Sequence, residues 1–386
     1  MKITVAIPTI AGRTTYLASC LRTCTSQDHD ELEILVSDNS YGEAEELCRS
    51  LNDSRVRYIR PQKYRPMSSH WDFVLQHATG DSISIIGDDD GLMPGCVGHL
   101  HEIHREFGNV AVHHALANYH WPDSSDLSRR NCVVFHHPIG INAGWIETDA
   151  FSRGVANGTA RYVDGPMIYH NFIPMALVRA LSRDGVFFRR SSPDLYSALA
   201  IAANTQRFYS VDKLLTLSGQ GARANGASAR NDGVDGRRFL REMQEHVLYS
   251  PRFDSRTIQL QLVDALFEVA EEFSKPFLVA NINFQNHLLL ALREAHHIPG
   301  WGNKYREIRT IMGLALRQRV VKALAARLFS EGARHFSGAS SAVAPRLDAP
   351  IYLGEQVRDI FQATVALDLI MKVDEQSIEI GRASGS

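Results

Sequence analysis

Three carboxylates stand in a row at Asp88, Asp89 and Asp90, after the apolar run Ile83-Ser84-Ile85-Ile86-Gly87 and before Gly91-Leu92-Met93-Pro94-Gly95. Adjacent Asp side chains repel one another and tolerate burial badly unless positive charge offsets them. A hard divalent cation with oxygen ligands, Mg²⁺ or Mn²⁺, supplies that charge, above all one that also carries phosphates. The plain alternative is a solvated acidic turn, because Asp and Gly are common turn residues.

The elements that must position the triplet form an alternation. Ile3 to Ile7 is a near-continuous apolar run stopped by Pro8-Thr9, as in a strand buried on both faces. Leu17, Cys20, Leu21 and Cys24 then recur at helical spacing. A second strand, Leu32 to Ser37, ends in Asp38-Asn39-Ser40. A helix carrying Ala44, Leu47, Cys48 and Leu51 precedes a third strand at Val56 to Ile59, and a helix over 68–78 carries Trp71, Val74 and Leu75 into the triplet strand. Strand and helix in strict alternation predict a largely parallel sheet flanked by helices, joined by right-handed crossovers. Ligands of such sheets sit outside the carboxyl ends of the strands. There this chain places Pro8-Thr9 with Arg13, then Asp38, then the triplet. Neither a G-x-G-x-x-G fingerprint nor a G-x-x-x-x-G-K-[ST] loop is present, which disfavours a dinucleotide enzyme and a P-loop NTPase.

The segments VAIPTIAGRTTYLASCLRTCTSQ, LEILVSDNS and HATGDSISIIGDDDGLMPG, in this order, resemble family 2 glycosyltransferases with a GT-A nucleotide-sugar-binding fold. The resemblance covers roughly the first 100 residues. It implies a Rossmann-like mixed sheet, a nucleotide-diphosphate sugar donor and a Mn²⁺ or Mg²⁺ cofactor. Pro8, Thr9 and Arg13 match the family's first strand end and helix start, and Asp38 matches the residue that contacts the nucleotide base. Arg65 is a further candidate for phosphate or base. Asp88, Asp89 and Asp90 match the Asp-x-Asp motif, in one of two registers: Asp88 and Asp90 bracket the metal, the favoured reading, or Asp89 alone binds it. Ser37-Asp38-Asn39-Ser40 departs from the common Asp-Asp-x-Ser ending, and Gly87 stands where many members have Asp.

An inverting transfer needs a carboxylate to take the acceptor proton. The resemblance implies an acid opening a helix about 100 residues beyond the triplet, and Asp194 in Ser192-Pro193-Asp194 matches it. Asp194 is equally suited to the first turn of a helix capped by Ser192. The segment 164–171, with Tyr169 and His170, reads as an acceptor-lining loop or a packed one. Residues 1–217 are expected to form the catalytic domain. Residues 218–235, rich in Gly, Ala, Ser and Asn, read as a flexible loop or lid whose Arg223 or Arg230 closes over the diphosphate.

Beyond residue 236 the pattern is helical to about 335, followed by a linker over 336–350 and a C-terminal helix and tail over 351–386. One long basic amphipathic helix is expected over 307–329, with Leu316, Val320, Leu324 and Leu328 as its apolar stripe. It would contact a membrane surface peripherally, or pack on its own domain or a homodimer partner. A net charge of -2 gives no global basic field, so a nucleic-acid partner is not expected. The five scattered cysteines suit a reducing compartment. No apolar window reaches the roughly 18 residues of a membrane span, so a cytoplasmic location is expected. The function read from all this is transfer of a sugar to a hydroxyl of a glycan, lipid-linked or other acceptor in surface polysaccharide or glycoconjugate synthesis. The alternatives are a non-catalytic nucleotide-sugar-binding protein and a sugar-phosphate nucleotidyltransferase.

Overall fold

The chain alternates β1 (Ile3–Thr9), α1 (Thr14–Thr25), β2 (Leu32–Asp38), α2 (Glu45–Ser50), β3 (Val56–Ile59), α3 (Met67–His77) and β4 (Ser82–Ile85). The four strands pair in parallel in the order β3-β2-β1-β4. β1, β2 and β4 are almost wholly buried, because helices cover both faces of the sheet and leave no polar side. Leu17, Cys20, Leu21 and Cys24 form the buried face of α1. This computed structural model describes residues 1–136, 139–140, 142–189, 192–223, 252–336 and 350–383.

The chain continues through β5 (Gly91–Leu92), α4 (Cys96–Phe107), β6 (Val112–Ala115), β7 (Ala117–His120), β8 (Cys132–Phe135), β9 (Ala143–Glu147), α5 (Thr148–Asn157), β10 (Ile173–Pro174), α6 (Met175–Leu181), α7 (Pro193–Ala203), β11 (Arg207–Leu214) and β12 (Thr216–Gln220). β10 adds an antiparallel edge beside β4, and β6, β11 and β9 form a second sheet. A third sheet sets β12 between β7 and β5. β6 and β7 follow one another in the chain but belong to different sheets and part at Leu116.

The segment expected to start a lid at residue 218 begins as strand. Ser218, Gly219 and Gln220 pair with Asn118, Tyr119 and His120, and a side chain at Gly219 would run into the Asp89 carbonyl. Residues 224–235, with Arg230, lie outside the described residues, as does most of the expected 336–350 linker.

The helical region comprises α8 (Ile258–Glu272), α9 (Pro276–Ala280), α10 (Phe284–His296), α11 (Trp301–Arg317) and α12 (Val321–Phe336). The single helix expected over 307–329 is two. Arg319 takes φ 58°, a left-handed conformation that ends α11, and Val320 and Leu324 turn into the core with Ile311 and Leu314. After this region the chain returns to the N-terminal half. β13 (Ile351–Tyr352) pairs with β8, and α13 (Ile360–Ala383) packs on α1, where the Arg22 guanidinium lies 4.2 Å from the Phe361 ring centroid.

A buried polar cluster ties α3 and α7 to α8. Tyr196 donates to Glu272 Oε2 (2.7 Å), Arg189 reaches Glu272 Oε1 at 3.2 Å, and Asp72 Oδ1 accepts from the Phe187 and Phe188 amides (2.8 and 3.1 Å). Burial pushes the Asp72 carboxyl up to about 6, against those amides and Arg189 and Arg65. The fold favours the neutral acid, so its contribution is complete below the ordinary carboxylate range and is lost as pH rises through about 6. Asp72→Asn keeps the acceptor and removes the charge. It is expected to raise stability at pH 8 by about 2–3 kcal/mol and to be near neutral at pH 4. Urea unfolding at both pH values checks this, and an equal effect at both would overturn it.

Candidate functional site

The site lies at the carboxyl edge of β1, β2 and β4, because each strand there runs out into a loop carrying a charged or hydroxyl side chain. Arg13, immediately before α1, clamps the triplet from one side. Its Nε and Nη2 meet Asp88 Oδ1 at 2.7 and 2.5 Å, and Nη2 meets Asp89 Oδ1 at 2.9 Å. Thr9, the last residue of β1, donates to Asp88 Oδ2 at 2.5 Å. Burial alone would push the Arg13 guanidinium down; Asp89 and Asp88 more than reverse this and hold it above its ordinary value.

Asp90 turns the other way, and protein donors engage both its oxygens. Its Oδ1 accepts from the Gly219 amide (2.7 Å), and its Oδ2 from the Gly87 amide (2.6 Å) and the Tyr169 hydroxyl (2.7 Å). His170 Nε2 lies 3.4 Å from the same oxygen, while Nδ1 is 2.7 Å from Thr216 Oγ1. His170 holds φ 70°, an uncommon conformation for a residue with a side chain, and burial lowers its pKa although Asp90 opposes this. Segment 164–171 thus packs onto the triplet through Tyr169 and His170.

Asp89 differs from both neighbours. Its carbonyl accepts from Trp121 Nε1 at 3.0 Å, but Oδ2 is buried with no hydrogen-bond partner among the described residues. Burial pushes its carboxyl up; Arg13 opposes the shift, and Asp90 and Asp88 add to it. Arg13 thus pairs with two of the three buried carboxylates, and among the described residues Asp89 Oδ2 is the triplet oxygen that no protein donor engages. Among the described residues no three His, Cys, Asp or Glu side chains converge as a metal cage. A metal here would take one protein carboxylate and complete its shell with oxygens of another molecule, a mode that suits Mg²⁺ with phosphates. The carboxylates expected to bracket a metal, Asp88 and Asp90, are both engaged by protein donors.

Asp38 closes its own loop. Oδ1 accepts from the Ser40 amide (2.9 Å), and Oδ2 accepts from the Ala44 amide and Tyr58 hydroxyl (both 3.1 Å). Asn39 exchanges two hydrogen bonds with the Arg65 backbone, and the Arg65 guanidinium sits over Phe73 and donates to Ser69. Pro8 pairs with Ser37 within the sheet. His70 is a buried core histidine 2.8 Å from Ser37 Oγ, and burial drives its pKa down to about 3. Arg223 donates to the Gly12 carbonyl (2.7 Å), and Arg13 donates to the Arg223 carbonyl, so β12 leads the chain across the mouth beside Arg13.

Asp194 begins α7 behind Ser192 and Pro193, with no side-chain cap from Ser192. Its Oδ2 accepts from the Tyr162 hydroxyl at 3.1 Å. Burial holds its carboxyl above the ordinary range, with the Leu195 amide and Tyr162 opposing. Asp194 also acts electrostatically on Tyr169, the residue hydrogen-bonded to Asp90. The strand edge and the start of α7 thus share one neighbourhood. Sequence reasoning did not find Trp121, Tyr162 or Gly219; the aromatics carry no motif, and the Gly219 signal was read as loop composition.

Residues 4–147 match the family described as Glycosyl transferase family 2. The match spans 144 of the 386 residues, and over them the chain is similar to that family. The matched part holds Arg13, Asp38, Arg65, the triplet and Trp121; Asp194, Tyr162, Tyr169 and Gly219 lie beyond it. A curated relative, the GalNAc(5)-diNAcBac-PP-undecaprenol beta-1,3-glucosyltransferase of Campylobacter jejuni, is 29% identical over 120 residues. That match covers 29% of this chain and only 38% of the relative's length. Among solved structures, S. aureus TarS 1-349 in complex with UDP is 15% identical, with a TM-score of 0.49, over 82% of this chain and 92% of that one. The mannosyltransferase PcManGT from Pyrobaculum calidifontis, in complex with GDP-Man and Mn²⁺, is 16% identical, with a TM-score of 0.43, over 88% of each. Likeness at this level assigns no residue a role.

Proposed function

We propose that this chain is a metal-dependent glycosyltransferase that moves a sugar, with inversion, from a nucleotide-diphosphate sugar to a hydroxyl of a glycan, lipid-linked or other acceptor. The observation that carries the reading is the unpartnered buried oxygen of Asp89 at the carboxyl edge of a parallel sheet, in the segment matched to family 2. Asp89 would hold a Mn²⁺ or Mg²⁺ ion, which would supply Lewis-acid stabilisation of the charge that builds on the leaving diphosphate. Arg13 neutralises Asp88 and fixes the triplet, and Tyr169, His170 and Gly219 hold Asp90 as the wall behind it. Arg65 and the free acceptor direction of Asp38 Oδ1 are assigned to the nucleotide, beside Pro8 and Thr9. Asp194 takes the acceptor proton as the new bond to the anomeric carbon forms and the bond to the diphosphate breaks. Its raised pKa makes it a stronger base than an exposed carboxylate. A lipid-linked acceptor is favoured because the name of the Campylobacter relative specifies one.

Calorimetry with UDP, GDP, CDP and dTDP tests the reading, each with Mn²⁺, with Mg²⁺ and with chelator. One nucleotide is expected to bind at micromolar affinity with metal and about 100-fold more weakly with chelator. Failure of all four under every condition would sink the proposal.

A further inference from the structure

Among the described residues α11 buries one side and leaves the other without a packing partner. Glu307, Ile311, Leu314 and Ala315 face the helical core. Trp301, Tyr305, Ile308 and Leu316 stay exposed by 88, 70, 43 and 67%, with Met312 between them half-buried against the helical core. These residues, at i, i+4, i+7, i+11 and i+15, form one stripe along the helix. Such a stripe on water is unusual, because large apolar side chains scattered singly are ordinary but an aligned row is not.

Charge says what covers it. Arg306, Arg309, Arg317, Arg319 and Lys322 are exposed along and just beyond the same helix, and Lys304 lies over the Trp301 ring at 5.8 Å. Among the described residues none of the five is drawn into an ion pair. The one acid between Trp301 and Lys322, Glu307, faces inward and accepts from the Ser255 hydroxyl and the Arg256 amide. The outward side of α11 therefore contributes apolar and cationic groups and no carboxylate of its own. A second copy docked on it about a twofold axis would set like charges against each other. Trp and Tyr at the rim of an apolar stripe, flanked by Lys and Arg, match the headgroup boundary of a bilayer. No helix of the described residues is long and apolar enough to cross a membrane, so contact would be along the surface.

We propose that α11 docks this protein on an anionic membrane surface, with Trp301, Tyr305, Ile308 and Leu316 entering the headgroup boundary and the basic residues meeting lipid phosphates. This deepens the transferase reading, since it brings the enzyme to where a lipid-linked acceptor lies. Vesicle binding is measured without nucleotide or metal, so its failure is separable from failure of that reading.

The full chain would be sedimented with vesicles of mixed phosphatidylcholine and phosphatidylglycerol, and with phosphatidylcholine alone, at low and high salt. Binding is expected to the anionic vesicles only and to weaken with salt. Serine at Trp301, Ile308 and Leu316 together should weaken it at least about tenfold. Arg306→Gln, Arg309→Gln and Arg317→Gln should each weaken it by about fivefold. All replaced side chains are exposed, and circular dichroism with an unfolding curve confirms that the variants fold. Trp301→Phe should keep binding and abolish the lipid-induced blue shift of tryptophan emission. No sedimentation at low salt would overturn the proposal, as would a triple variant that binds like wild type. A dimer that dissociates in the triple variant, without vesicle binding, would overturn it in favour of a second copy.

Discussion

Asp89→Asn is expected to abolish metal-dependent nucleotide binding, weakening it on the order of 100-fold or more, with no loss of fold stability. The reason is the unequal state of the three carboxylates. Asp89 has an oxygen with no partner among the described residues, and neutralising it relieves its burial cost and the repulsion of Asp90 and Asp88, which together outweigh its pair with Arg13. Its neighbours carry structure. Asp88→Asn leaves the buried Arg13 without its closest partner, and breaking a buried pair costs about 3–5 kcal/mol. Asp90→Asn disturbs the Gly219, Gly87 and Tyr169 donors together. Both should lower the unfolding midpoint, whereas Asp89→Asn should hold or raise it. Calorimetry with Mn²⁺, paired with thermal unfolding of each variant, separates the cases. Metal affinity lost in Asp90→Asn without loss of stability would return the assignment to the Asp88 and Asp90 register.

That register could not be settled from sequence, and the reason is physical. Periodicity reports which way a residue faces in its own element, and for the first 90 residues this was enough. Continuous apolar runs gave β1, β2 and β4, and the parallel-sheet rule placed Arg13, Asp38 and the triplet on one edge. What engages each carboxylate is decided by contacts distant in the chain. Tyr169 and His170 arrive about 80 residues later and Gly219 129 residues later. None belongs to a motif, and Gly219 looked like flexible composition, although a bare backbone there is what lets β12 pass against Asp89. The division of 307–329 was hidden for a related reason: leucines at four-residue spacing continue across a left-handed Arg319 that no propensity marks. That stripe left open whether Val320 and Leu324 face outward or pack inward; they join the core, while the exposed row lies on α11 and starts at Trp301.

Asp194→Asn is expected to lower kcat by about 10³-fold while nucleotide affinity stays within about twofold, because a base acts on the acceptor proton and not on the donor. The pH profile makes the assignment specific. The base works when deprotonated, so kcat/KM rises with pH through the Asp194 pKa, and burial puts that limb above the ordinary carboxylate range of about 4. The Tyr162 hydroxyl donates to Asp194 Oδ2 and favours the carboxylate. Tyr162→Phe removes that donor and should move the limb to still higher pH, with activity approaching wild type on the alkaline side. A residue that merely capped α7 would leave the limb in place and lower activity equally at every pH. Turnover of Asp194→Asn within a few-fold of wild type, or a Tyr162→Phe limb that does not move, would reassign the proton to another group and leave Asp194 as a first-turn acid held by the helix dipole.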